Sequence, residues 1–134
     1  SPPCVDFSDG YSSPKMKAKR AGIEYEPDMS LVVKSLEIIE KVKPRFWVIE
    51  NVRGAQPFFE GLLGRPSQII GSVYLWGNFP FINMPVDYKH PSKYENDSWS
   101  SDPLRANKRA KIPYEISMCL KIACEEHTSL LEWC

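Results

Sequence analysis

Between Leu31 and Val42 the apolar side chains recur at helical spacing. Leu31, Val32, Leu36, Ile39 and Val42 share one broad face, and Lys34, Glu37 and Lys41 fall opposite. That period predicts an amphipathic helix from a cap at Asp28 or Ser30 to about Lys43. Pro44 ends it, because proline has no amide for a further turn. The pattern then changes: "RFWVIENV" is a continuous run of β-branched and aromatic residues that stops at two polar ones. Such a run suits a strand buried on both faces, as in a parallel sheet covered by helices. Downstream, "QIIGSVYLWGNFPFI" reads as two short strands broken by glycine, with Trp76, Phe79 and Phe81 packing on the sheet. A final amphipathic helix begins near Pro113, a favoured first-turn residue, and turns Ile116, Cys119, Leu120 and Ala123 inward.

The stretches without a period are read as connections. "SDGYSSPKMKAKRAGIEYEP" reads as an exposed loop, and "RGAQPFFEGLLGRPS" as loop or short helix. Residues of about 83–111 carry three prolines and little periodicity, so a long surface excursion is expected, and loops of that length are usually functional or disordered. There is no internal repeat. A chain of 134 residues suits one domain spanning 1–134.

Charge narrows the function classes. The 17 basic and 17 acidic residues cancel, so no global cationic field argues for nucleic acid. Any such claim rests on "KMKAKR" and "RANKRAK", which are either solvated loops or phosphate contacts. No apolar run reaches the roughly 18–20 residues of a membrane span, and an intracellular protein of cytoplasm or nucleus without membrane contact is expected. Four cysteines lack the density of a secreted disulfide framework. Cys119, Cys124, His127 and Cys134 follow a helical pattern rather than a zinc-knuckle spacing, so no metal is assigned, and His90 and His127 receive no role.

Two places carry candidate chemistry. Cys4 follows two prolines in "SPPCVDFS", and prolines stiffen a loop. Glu50 closes the buried run, with Asn51 directly after it. A strand ahead of Ser1 would place both at the carboxyl ends of neighbouring parallel strands, where open α/β sheets bind ligands. The alternatives are a core thiol at Cys4 and a plain strand-end carboxylate at Glu50.

"SPPCVDFS" resembles the Pro-Cys loop of the DNA cytosine-5 methyltransferases, and "FWVIENV" resembles their Glu-Asn-Val motif, in the same order. "SVYLWGNFPFI" and "RAKIPYEISMCLKIA" are similar to the C-terminal part of compact, phage-type members. The resemblance implies a fold of α/β class: a partial Rossmann-like methyltransferase sheet with flanking helices, its N-terminal cofactor half missing. It implies methyl transfer from S-adenosylmethionine to carbon 5 of cytosine in DNA, as in restriction–modification, on a base flipped out of the duplex. Cys4 is then the nucleophile, Glu50 contacts the cytosine ring, and Asn51 bonds backbone groups to hold the nucleophile loop. Through their carbonyls Pro2 lies by the cofactor and Pro3 by the target amino group. Lys17, Lys19 and Arg20 meet phosphate. The Gln-Arg-x-Arg motif of the family is absent, leaving Arg53, or Arg105 and Arg109, for the arginine that faces the cytosine carbonyl. The asparagine position ahead of the last helix holds Ala110. A catalytically silent truncated or split-enzyme fragment and a tRNA cytosine-5 methyltransferase are the other readings. A missing N-terminal half, or self-association through an exposed sheet edge, is the expected protein partnership.

Overall fold

The computed structural model describes residues 2–91 and 111–132. In chain order the elements are α1 (Pro14–Ala21), α2 (Ser30–Val42), β1 (Trp47–Asn51), a 3-10 turn (Arg53–Ala55), α3 (Gln56–Leu63), β2 (Gln68–Ile70), β3 (Val73–Asn78) and α4 (Tyr114–Glu132). The protein is therefore mixed α/β. Two compact units divide it, Ser1–Phe79 and Pro80–Cys134.

The sheet differs from the expected parallel one. Its order is β1-β3-β2, and both pairings are antiparallel, with Ile49 opposite Trp76 and Ile70 opposite Val73. The cause is local. Gly71, with φ 59°, and Ser72 form a two-residue connection between β2 and β3, a hairpin that forces antiparallel pairing. β3 then inserts between β2 and β1. Among the described residues no strand lies parallel to β1.

Side chains alternate across the pleat. One face of the sheet presents Ile49 and Trp76 to the core of the first unit, where they join Phe7, Val32, Ala55 and Phe59. Phe59 meets Phe7 and Trp76 edge to face, at 5.1 and 5.0 Å between ring centres. The indole N–H donates to the Gly64 carbonyl at 3.1 Å, so this buried aromatic leaves no polar group unmatched. The other face carries Ile70, Val73 and Leu75, also buried. β3 is thus enclosed on both sides, whereas Val48 on β1 stays exposed.

Helix α2 contributes the buried Val32, with Leu36 and Ile39 packed beside it. Its start is held by the Asp28 carboxylate, which accepts from the Ser30 amide at 2.8 Å. Its end turns through Lys43, a non-glycine residue in the left-handed region with φ 49°. Helix α1 lies where an exposed loop was expected. It has no buried residue, so no apolar period announced it, and it is held by its caps. Ser13 accepts from the Met16 amide, Pro14 occupies the first turn, and Gly22 closes the end at φ 67°.

In the second unit Ile82 and Ile116 are buried, and Cys119, Leu120 and Ala123 are half-buried along α4. Phe81 does not pack on the sheet as expected: it is 69% exposed, because β3 ends at Asn78 and the chain leaves the sheet before Phe81 is reached. Most of the expected excursion at 83–111, with Arg105, Arg109 and Ala110, lies outside the described residues.

Candidate active site

Cys4 is exposed, on a short turn in which the Phe7 and Ser8 amides both donate to its carbonyl, at 3.1 and 2.9 Å. Neither proline before it needs to donate an amide, so the backbone reaches the turn with few demands. Pro2 is buried and Pro3 exposed. The thiol is therefore not a core group.

The turn is attached to the end of β1. Asn51 is fully buried; its Nδ2 donates to the Pro2 carbonyl at 3.1 Å, across 49 residues of sequence, while its Oδ1 accepts from the Val52 amide at 2.9 Å. A buried carboxamide is stable only with such partners. Glu50, the preceding residue, projects to the opposite face of the strand and is half-buried. Thus the two motifs that lie far apart in the sequence meet through one direct hydrogen bond.

A second attachment lies beyond the thiol. The Lys15 ammonium donates to Asp9 Oδ1 at 2.9 Å and to the Gly54 carbonyl at 3.0 Å, and lies 5.5 Å from the centre of the Phe58 ring. This hydrogen bond, opposed by partial burial and aided by Arg53, holds the Asp9 carboxyl below the usual carboxylate range. Sequence reading placed Lys15 only among the cations of "KMKAKR"; its partner Gly54 is 39 residues away, a separation no local pattern reveals.

The remaining candidates divide by what they touch. Arg53 is 75% exposed and its guanidinium faces Asp9 Oδ2 at 3.6 Å. Lys17 and Lys19 are exposed on α1. Arg20 is also exposed but engaged: it donates to the Tyr11 carbonyl at 2.8 Å and stacks on the Tyr11 ring, 4.0 Å from its centre. Sequence reading missed Tyr11, which is 80% exposed. Burial, and then the charge of Glu125, push the Cys124 thiol up. No cluster of metal-ligating side chains occurs among the described residues, and none of their helices is long and apolar enough to cross a membrane.

S-adenosylmethionine carries a ribose, an adenine and a charged amino acid, each needing polar partners. The candidate contact for it here is Pro2, whose carbonyl already accepts from Asn51. Pro2 alone does not supply those partners. No protein-family profile, curated protein sequence or solved structure matches this chain.

Proposed function

We propose that this chain is the catalytic portion of a DNA cytosine-5 methyltransferase, and that β1–β3 belong to one end of a larger Rossmann-like methyltransferase sheet. What supports the reading is the bond from Asn51 to the Pro2 carbonyl, which fastens an exposed thiol turn to the residue next to Glu50.

The step assigned to this chain's own residues is the addition that makes carbon 5 reactive. The Cys4 thiolate forms a bond to carbon 6 of a flipped cytosine, and the electron pair of the 5,6 double bond moves into the ring. Glu50 supplies the hydrogen bond or proton at ring nitrogen 3 that accepts this charge. Carbon 5 then bears the electron density that a methyl donor can take. Lys17 and Lys19 hold DNA phosphate, and Pro3 lies by the target amino group.

A random-sequence duplex carrying 5-azacytosine isolates this step, because its ring is more electrophilic at carbon 6 and retains a thiol without methyl transfer. The expected result is a denaturation-resistant protein–DNA adduct that Cys4→Ala abolishes and Glu50→Gln slows by roughly a hundredfold. An adduct of equal yield with Cys4→Ala overturns the assignment. No adduct with the wild-type chain favours a silent fragment, and an adduct only on tRNA carrying the same base moves the substrate to RNA.

A further inference from the structure

We propose that Lys15 is a positioning residue for Cys4, tying the far foot of the thiol turn to the turn that leaves β1, as Asn51 ties the near foot. The inference rests on the methyltransferase reading for what the thiol does, but not for where it is held.

The thiol turn has two feet. The near one is Pro2, held by Asn51. The far one runs from Phe7 to Asp9. Phe7 is buried against Phe59, and its carbonyl lies so close to Gly54 that a β-carbon there would come within 2.0 Å of it. The two backbones are in direct contact, which only glycine permits. Lys15 spans this contact, with Asp9 on one side and the Gly54 carbonyl on the other. Its side chain is 19% exposed, two of its three N–H groups are in these bonds, and a ring lies beside it. Of the cations in "KMKAKR", Lys15 is therefore committed to the protein, whereas Lys17 and Lys19 face solvent.

The helix that carries Lys15 is fixed in the same network. Ser13 donates through its hydroxyl to the Ser8 carbonyl at 2.7 Å and accepts from the Met16 amide. Ser8 in turn donates its amide to the Cys4 carbonyl. An unbroken set of bonds therefore runs from the Gly54 carbonyl through Lys15, the α1 cap and Ser8 to the backbone of Cys4. Loss of the Lys15 bonds leaves the far foot held by Phe7 and the Ser13–Ser8 bond alone, while the near one stays tied to Asn51, so the turn loosens without the sheet opening.

Hydrogen exchange at the Phe7 and Ser8 amides tests this, since both donate to the Cys4 carbonyl. Lys15→Met is expected to speed exchange at these two amides by about tenfold or more, as fits loss of a charged hydrogen bond, while the β1–β3 ladder keeps its protection. Lys15→Arg restores part of the loss. With 5-azacytosine DNA, Lys15→Met slows adduct formation at saturating DNA and leaves half-saturation unchanged, whereas Lys17→Met shifts half-saturation. Wild-type exchange at Phe7 and Ser8 in Lys15→Met overturns the proposal. If that variant also loses ladder protection, Asp9→Asn decides in its place: severalfold faster exchange at the two amides supports the tie, and no change overturns it. Faster exchange in a protein that forms no adduct upholds the tie and removes the methyltransferase reading.

Discussion

Asn51 and Gly77 show how much rests on single residues in a small domain. Asn51 satisfies a carbonyl and an amide from inside the core, so Asn51→Ala leaves the Pro2 carbonyl and the Val52 amide without their partner. The expected cost is about 1–3 kcal/mol in chemical denaturation, together with faster alkylation of Cys4 by a bulky thiol reagent as the turn loosens. A denaturation midpoint equal to wild type contradicts this account. Gly77 has φ 141°, and a β-carbon there would approach the Trp47 carbonyl to 2.2 Å, so Gly77→Ala separates β3 from β1. The bond from Asn51 to the thiol loop was expected from the resemblance of "FWVIENV" to the Glu-Asn-Val motif. Gly77, Gly54 and Lys15 were not, since each owes its role to a backbone or carbonyl distant in the chain.

At the scale of elements, period and capping act separately. α2 was legible because burial of Val32, Leu36 and Ile39 imposes a helical period on the sequence. α1 buries nothing, and only Ser13, Pro14 and Gly22 mark it. The β2–β3 hairpin was half legible: glycine announced the break, but nothing local said that β3 would lie between β2 and β1. Two predictions belong here. Phe59→Ala removes the ring that joins Phe7 to Trp76 and is expected to cost about 3–5 kcal/mol, enough to unfold a marginal domain; circular dichroism on heating checks it. Lys43→Gly relieves a left-handed residue at the end of α2 and is expected to raise stability by up to about 1 kcal/mol, read as a higher denaturation midpoint at unchanged slope.

For the molecule as a whole, acid acts on the tie between the thiol turn and β1. The Asp9 carboxyl is held below its ordinary value of 3.8, chiefly by its hydrogen bond to Lys15. A group with a lowered folded-state pKa contributes stability that is complete above the unfolded value and disappears as pH falls through the folded one. Wild type is therefore expected to lose stability below about pH 4 more steeply than Asp9→Asn, and the two curves converge at the acid end. Parallel curves across that range contradict the assignment. By itself the amino-acid order determined the amphipathic α2 and α4 and the existence of strand β1, because burial leaves a local period, although it pointed to a β1 buried on both faces and Val48 is exposed. Only the tertiary structure decided that the sheet is antiparallel, that α1 forms, and that Lys15 reaches the Gly54 carbonyl. Strand order and long-range hydrogen bonds depend on which backbone groups meet after the chain has folded back, and no local pattern records that meeting.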